Sequence, residues 1–410
     1  MTSPPIFISA QPDETYFHWQ VEIYLYQFAK HGIQDRCYAL FGHRGPAPSS
    51  AAQEIARKFK NVKFYRDDRD RTGPHHYIPT IRPHLLKKFF AEYPHLGASV
   101  FYHDSDIFLV RLPRFELMLA DNNDYVSDTV SYIGYNYIQS CQSRYNAKHA
   151  AAAADPLLPR MCAVADLPVE TVRQNQAHSG GCQYLLKGVD AAFWEEAETL
   201  CQRLYSCMKE YDAKYPIDHP IQSWATDMWV VLWLRWKRGA TVRIHPELDF
   251  SWATHTVAEY NRKPIFHLAG VTRENCKGRL FKGEYHHKNL LTEYARNRSL
   301  FDDISANSAT YAYVAVVREY VDSPTRFRLD SADAWAAEYI LDASTNLFGR
   351  AVWRSADGAY LMFHSGTAWI ITQARYEKGL TRSSGGFAST KAAEPYEGGW
   401  NFPCTVKCQS

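Results

Sequence analysis

The N-terminal part of the chain alternates short apolar runs with stretches of helical periodicity, and this alternation constrains the fold more than any other feature. Apolar runs typical of buried strands occupy residues 6–10, 37–41 and 62–65. Between them, residues 16–31 and 51–60 place their apolar side chains at helical spacing. Strands that alternate with helices form a mainly parallel sheet with helices on both faces. The sequence therefore predicts an α/β fold.

A fourth predicted strand ends directly on two acidic residues. A helix is predicted over residues 79–93, and the apolar run 98–103 that follows it leads into Asp104-Ser105-Asp106. In open α/β sheets, ligands bind at the carboxyl ends of the strands. The two acids therefore lie where a ligand site is expected. Their spacing alone is equally typical of a turn with solvated carboxylates.

Carboxylates and a later histidine together indicate metal chemistry. Carboxylate oxygens bind hard cations such as Mg²⁺ or Mn²⁺, and Mn²⁺ also accepts imidazole. His267 ends a short apolar strand, and Gly270, three residues later, would let the backbone approach a phosphate closely. Asp104 and Asp106 are therefore candidate metal ligands. Taken alone, this segment favours a structural role for His267 over metal binding.

Two further segments carry candidate site residues. Ser179-Gly180-Gly181 forms a small-residue turn shortly before a predicted helix over residues 193–211. Asp227 lies near the start of an apolar helix predicted over residues 221–238. An acid there either interacts with the helix dipole or points at a substrate, and both interpretations stay open.

The C-terminal part has a different pattern. Short strands are predicted there over residues 351–354, 359–363 and 368–372, separated by turns. In the middle of the chain, residues 140–176 show no clear periodicity. We therefore predict a large domain over residues 1–305 and a small β-meander domain over 306–410. This second domain either stabilises the protein, contacts a partner, or presents Trp353 and Trp369 to a bound molecule.

Composition excludes several classes of function. Lysine and arginine (46) nearly balance aspartate and glutamate (44), so no extended basic surface for nucleic acid is expected. The nine cysteines lack the paired spacing of a zinc ribbon. Neither a membrane span nor a signal peptide is recognisable, and a soluble, cytoplasmic protein is the default expectation.

The order of the short motifs resembles a known family. Along residues 5–290 a Trp-Gln helix, Tyr-x-Pro-x-x-Arg-Pro at 77–83, Asp-Ser-Asp, Ser-Gly-Gly, Thr-Asp-Met and His-x-x-Gly follow one another. This order is similar to that of the GT-A glycosyltransferases related to hydroxyproline O-arabinosyltransferases and peptidyl-serine α-galactosyltransferases. The resemblance implies a GT-A fold and transfer of a sugar, with retention, from a nucleotide-sugar donor such as a UDP-sugar. It also implies Mn²⁺ or Mg²⁺ as cofactor and a glycan, glycoprotein or small-molecule acceptor.

The resemblance also implies roles for individual residues. Asp106 and His267 would bind the metal directly, and Asp104 would contact the metal or the ribose. Asp227 and Gln183 would act at the reaction centre. The donor would be held by a further set of residues: Arg82, Ser179, Gly180, Gly181, Gly270 and either Lys277 or Lys282.

Two other functions compete with this prediction. A nucleotidyltransferase uses a similar sheet with paired acids, but it needs a glycine-rich, basic phosphate loop after the first strand. Residues 11–14 of this chain are Gln-Pro-Asp-Glu, which lack both features. A carbohydrate-binding or scaffold protein with a structural Ca²⁺ site is the alternative from a non-enzymatic class.

Overall fold

A computed structural model of the protein describes residues 4–322, 326–330, 338–347, 350–365, 368–373, 388–390 and 405–409. Seventeen strands are described: β1 Ile6–Pro12, β2 Cys37–His43, β3 Val62–Arg66, β4 Ser99–Tyr102, β5 Ile107–Leu109, β6 Asp124–Ser127, β7 Gly181–Lys187, β8 Val242–Ile244, β9 Phe250–Trp252, β10 Ile265–His267, β11 Arg326–Asp330, β12 Glu338–Leu347, β13 Arg350–Ser355, β14 Tyr360–His364, β15 Trp369–Gln373, β16 Ala388–Thr390 and β17 Thr405–Gln409. Thirteen α-helices are described: α1 Thr15–Ala29, α2 Ser50–Lys58, α3 Ile81–Glu92, α4 Phe115–Met118, α5 Val130–Ile133, α6 Tyr135–Lys148, α7 Leu157–Ala165, α8 Val169–Gln174, α9 Ala191–Lys214, α10 Thr226–Lys237, α11 Val257–Arg262, α12 Leu290–Arg296 and α13 Ala309–Asp322.

The main sheet is mixed and mainly parallel, as the strand and helix alternation predicts. Its seven strands lie in the order β3-β2-β1-β4-β7-β6-β8. β1 pairs in parallel with both β2 and β4, and β7 runs antiparallel to β4 and β6. Every residue of β1 is buried, as expected for a central strand covered on both faces. The α/β fold class is confirmed.

A small second sheet brings a distant segment beside the Asp-Ser-Asp turn. Its strands lie in the order β5-β10-β9, and β10 runs antiparallel to β5 with His267 opposite Ile107. Because Ile107 directly follows Asp106, this register places the imidazole next to that carboxylate. The backbone N–H of Leu268 donates a hydrogen bond of 2.9 Å to the carbonyl oxygen of Asp106, which continues the pairing.

Residues 140–176, where the sequence shows no clear periodicity, fold mainly into helices. The prolines in this segment stand at helix starts. Pro156 and Pro168 are the N-cap residues of α7 and α8, and Pro159 lies in the first turn of α7. A proline in the first turn costs no internal hydrogen bond, because the N–H groups there have no intrahelical partner.

The C-terminal strands form a separate antiparallel sheet, in the order β16-β15-β14-β13-β12-β11-β17. β13, β14 and β15 form the predicted meander, which confirms a β-rich C-terminal part. Trp353 and Trp369 are each 2% exposed, so both rings pack inside this sheet layer and neither is presented to an acceptor. Of the residues from 383 onward, β16 and β17 are the described parts.

Helix α13 belongs to the core of the first part of the chain. Tyr313 is fully buried and stacks on Phe108 of β5, with ring centroids 4.3 Å apart and an interplanar angle of 12°. It also meets the edge of Trp19 in α1 at 6.4 Å. The predicted division between residues 305 and 306 stays a prediction. On packing alone, the first core continues into α13 as far as Val317, with Val321 partly buried against it.

A buried carboxylate ties the segment after β5 to the segment after β8. The side chain of Glu247 is 4% exposed and accepts hydrogen bonds from Arg111 (3.0 Å) and Arg114 (2.7 Å). The hydrogen bond from Arg111, with further bonds from Arg114, lowers the pKa of Glu247 from 4.5 to about 2 against the effect of burial. Charged hydrogen bonds of this kind stabilise a fold by about 1.5–3 kcal/mol.

We expect Glu247→Gln to lower the free energy of unfolding by about 2 kcal/mol at pH 7. Because the folded pKa lies below the unfolded one, this stabilisation is present above about pH 4.5 and is lost as the pH falls towards 2. Urea unfolding at pH 7 and pH 3 checks both statements. Glu116→Gln, which changes an exposed glutamate on α4, is the matched control. If the free energies of unfolding of the wild type and E247Q differ by the same amount at both pH values, the expectation is contradicted.

Candidate active site

The Asp104-Ser105-Asp106 turn leaves β4 at the carboxyl edge of the main sheet. The carboxylate of Asp106 is buried, with 6% of its side chain exposed, and that of Asp104 is 17% exposed. The Ser105 hydroxyl donates a hydrogen bond of 3.1 Å to the side-chain carbonyl of Gln20 on α1. This bond fixes the turn, so the two acids flank a serine that faces the helix.

Asp104, Asp106 and His267 form a group that fits a divalent cation. Their ligand atoms all lie within 4.8 Å of one another. His267 Nε2 is 3.3 Å from Asp106 Oδ1 and 3.6 Å from Asp104 Oδ2. The ring of Trp252 stacks on the imidazole at 5.8 Å and 15°, which holds its orientation. Two carboxylates and one imidazole are a donor set that suits Mn²⁺.

Charges around Asp106 are arranged so that it stays ionised. Burial alone would raise its pKa, but the ammonium of Lys282 and the imidazole of His267 together hold that pKa well below its usual range. Lys282 donates directly to Asp106 Oδ2. Burial would likewise lower the pKa of His267, but the charge of Asp106 raises it to about 10.

Arg82 bridges two carboxylates that are distant in sequence, Asp104 and Asp227. Its Nη2 is 2.8 Å from Asp104 Oδ1, and its Nη1 is 2.7 Å from Asp227 Oδ2. Tyr77 donates a hydrogen bond of 2.8 Å to the other oxygen of Asp227. The carboxylate of Asp227 is therefore held at both oxygens. Asp227 also lies in the first turn of α10, where the helix dipole favours an acid. Burial raises the pKa of Asp104 despite the nearby guanidinium.

These side chains surround one cavity of about 290 Å³. It contains six of the predicted site residues: Arg82, Asp104, Asp106, Asp227, His267 and Lys282. Aromatic side chains line much of the remaining wall, and they come from distant segments of the chain. These are Tyr16, Phe17, Tyr102, Tyr132, Tyr184, Trp224 and Trp252. The cavity thus combines a cation-binding group with aromatic walls.

Other predicted residues lie outside the lining of this cavity. Gln183 is fully buried, and its side-chain carbonyl accepts a hydrogen bond of 2.6 Å from the Ser127 hydroxyl. Its neighbours on β7, Cys182 and Tyr184, face the cavity instead, because adjacent residues of a strand point to opposite sides. Lys277 is exposed, and of the two candidate lysines Lys282 is the one that reaches Asp106.

The glycines of the site have structural reasons to be glycine. A Cβ on Gly180 would lie 2.2 Å from the carbonyl oxygen of Ser127, so the close approach of this turn to β6 requires glycine. Ser179 is buried and donates to the carbonyl oxygen of Asn175. Gly270 has φ +90°, a backbone conformation that only glycine adopts readily, and it is exposed at the surface. Ser179, Gly180, Gly181 and Gly270 all lie outside the lining of the cavity.

The residues that sequence reasoning missed fall into two groups. Alternation along β7 places Cys182 and Tyr184 opposite Gln183, so it leads to them only once Gln183 is known to point away from the cavity. Tyr16 and Gln20 stand one helical turn apart at the start of α1, on the edge of the sheet where β1 ends. Tyr132, Trp224 and Trp252 carry no local signal, because only the tertiary fold brings them together.

None of the helices among the described residues is both long enough and apolar enough to cross a lipid bilayer.

Comparison with known proteins gives distant structural neighbours. No protein-family model matches the sequence, and no curated protein sequence matches it. The apo structure of the bifunctional glycosyltransferase WbbM aligns at 9% identity and a TM-score of 0.38, covering 75% of this chain and 52% of WbbM. A glycosyltransferase involved in glycosylation of the major capsid of PBCV-1 aligns at 11% identity and a TM-score of 0.33, covering 69% of this chain and 98% of that one. The galactosyltransferase LgtC, in complex with donor and acceptor sugar analogues, aligns at 13% identity and a TM-score of 0.31, covering 66% and 90%. This chain therefore spans about half the length of WbbM.

Proposed function

We propose that the protein is a metal-dependent glycosyltransferase that moves a sugar from a nucleotide-sugar donor, a UDP-sugar, to an acceptor hydroxyl. One observation carries the proposal: Asp104, Asp106 and His267 converge beside Lys282 and Arg82 in a single cavity. A leaving nucleoside diphosphate carries several negative charges. A cation group flanked by two basic side chains is the environment that stabilises such a leaving group.

The metal would be held by Asp106 and His267, with Asp104 as a further ligand or as the partner of the ribose. Mn²⁺ or Mg²⁺ bound there supplies positive charge that neutralises the departing diphosphate. The ammonium of Lys282, which lies on Asp106, is close enough to share the same anionic group. Tyr16 lies beside Lys282 on the cavity wall. Burial raises the pKa of the Tyr16 hydroxyl, and the positive charge of Lys282 opposes that rise.

Arg82 links the metal group to Asp227, because its guanidinium contacts both Asp104 and Asp227. Because Tyr77 and Arg82 hold both carboxylate oxygens of Asp227, this carboxylate has a fixed orientation toward the cavity. In the proposed reaction Asp227 faces the transferred sugar, and Arg82 holds a donor hydroxyl or phosphate. Gln183 reaches neither group in this arrangement, since it is buried against Ser127.

We further propose that the transfer proceeds with retention and that the protein is related to the hydroxyproline O-arabinosyltransferase and peptidyl-serine α-galactosyltransferase group. The order of the motifs along residues 5–290 supports this. The acceptor would then be a glycan, a glycoprotein or a small hydroxylated molecule.

Donor hydrolysis tests the proposal. The purified protein is incubated with a panel of UDP- and GDP-sugars, and nucleotide release is measured with Mn²⁺, with Mg²⁺ and with EDTA. We expect release from at least one UDP-sugar, abolition by EDTA and recovery on adding Mn²⁺ in excess. Release that continues unchanged in EDTA would refute metal dependence, and the absence of release from every donor would refute the transferase itself.

A further inference from the structure

A second cavity lies directly beside the active-site cavity. It measures about 410 Å³ and shares Pro79 and Trp224 with the first cavity. Its walls come from two short segments, residues 76–79 before α3 and residues 220–224 before α10, together with Tyr205 of α9. The two cavities are therefore neighbouring compartments with a common rim.

This rim exposes large apolar side chains to solvent. Trp224 and Ile78 are each 59% exposed, which is more than any other large hydrophobic residue among the described ones. The indole of Trp224 stacks on Tyr132, a wall residue of the first cavity, at 6.2 Å and 28°. Leaving such surface in water is unfavourable, and exposed apolar surface beside a binding cleft is typical of a ligand contact.

Hydrogen bonds and ring stacking hold together the wall between the two cavities. The Tyr77 hydroxyl is 2.6 Å from the carbonyl oxygen of Trp224 and 2.8 Å from Asp227 Oδ1. The Tyr77 ring stacks on Tyr205 at 4.7 Å and 30°. A molecule bound against Trp224 would thus lie next to a carboxylate with a fixed position.

The charges decide which reactant the second cavity receives. The ammonium of Lys282 and the metal group lie together in the first cavity, so the diphosphate belongs there. In the described part of the chain, the second cavity is lined by no lysine, arginine or carboxylate, and its wall residue Tyr77 donates a hydrogen bond of 2.8 Å to Asp227. A reactant bound there lies close to an acid that can accept a hydroxyl hydrogen.

We infer that the second cavity is the acceptor subsite and that its occupant is a saccharide whose ring lies on Trp224. This inference rests on the proposed function. A sugar ring has an apolar C–H face that suits an indole, and hydroxyls at its edge that need polar partners. The cavity supplies both, because Gln222 and Ser223 line it beside Trp224.

The test compares Trp224→Ala, Trp224→Phe and the wild type. Transfer from the active UDP-sugar is measured to the methyl glycosides of glucose, galactose, mannose and N-acetylglucosamine and to a serine-containing peptide. We expect W224A to raise the KM for the accepted glycoside about tenfold, the equivalent of one lost stacking contact. W224F should bring this KM most of the way back to the wild-type value. Leu117→Ala removes another exposed side chain (48% exposed), outside both cavities, and serves as the matched control.

Saturation-transfer NMR with the same glycosides supplies a measurement that does not depend on turnover. Contact between the protein and the ring protons is expected in the wild type and in W224F, with loss in W224A. Glycoside contact unchanged in W224A, a rise in the donor KM in place of the acceptor KM, or Trp224-dependent transfer to the peptide alone would each overturn the inference. Failure of every donor in the wild type would refute the proposed function, whereas the NMR result would still decide whether a sugar binds here.

Discussion

Asp106→Asn is expected to lower metal-dependent nucleotide release from the donor by about a thousandfold, since a catalytic cation supplies several kcal/mol of charge stabilisation. The substitution keeps the size of the side chain and removes the charge that faces both His267 and Lys282. Nucleotide release at saturating Mn²⁺ measures the rate. Mn²⁺ binding, followed by electron paramagnetic resonance, measures the loss of the ion itself.

Asp218→Asn is the matched control, because the side chain of Asp218 is 89% exposed whereas that of Asp106 is buried. This variant should keep the wild-type rate, and circular dichroism should show that D106N remains folded. A folded D106N that still releases nucleotide at the wild-type rate would contradict the metal site. If the wild type shows no donor turnover and D106N keeps its affinity for glycans, the protein would instead be a carbohydrate-binding protein.

Arg82→Met is expected to lower the free energy of unfolding by about 2–3 kcal/mol and to abolish donor turnover. Removing one partner of a buried ion pair costs about 3–5 kcal/mol, and a value at or below the lower end of that range is expected here because 28% of the Arg82 side chain is exposed. Without the guanidinium, Asp104 and Asp227 face each other in one cavity with no cation between them. Urea unfolding at pH 7 measures the stability, and nucleotide release measures the activity.

Arg82→Lys separates the two effects. A lysine restores the positive charge and should recover part of the stability, but a single ammonium cannot reproduce the planar, two-pronged contact to both carboxylates. We therefore expect R82K to be more stable than R82M while remaining strongly impaired in turnover. Equal urea midpoints for R82M and the wild type would show that the bridge contributes nothing to the fold.

Local sequence pattern predicted much of the fold and the metal group. The strands 6–10, 37–41 and 62–65 are all present, each extended by one or two residues at an end. Asp104, Asp106 and His267 were identifiable because each closely follows, or ends, an apolar strand. The carboxyl ends of such strands meet at one edge of a sheet, so local pattern and tertiary position coincide there.

The remaining features depend on relationships that a local pattern does not carry. Gln183 and Cys182 are adjacent in sequence, and only the register of β7 against β6 decides which of them faces the cavity. The register shift beside Ser127 makes that decision hard to extrapolate from neighbouring strands. The aromatic walls join segments more than 100 residues apart, such as those of Tyr16 and Trp224. Side chains of this kind are indistinguishable in sequence from ordinary core residues.

The position of helix α13 has a consequence for how the protein is made. Trp19, Phe108 and Phe266 all contact Tyr313, which lies nearly 300 residues after the first of them. During synthesis these three rings therefore lack this shared packing partner until α13 has left the ribosome, so the nascent N-terminal part of the chain should depend on chaperones until then. A shortened protein that ends at residue 305 would keep every proposed catalytic residue, and we expect it to aggregate through this uncovered aromatic surface.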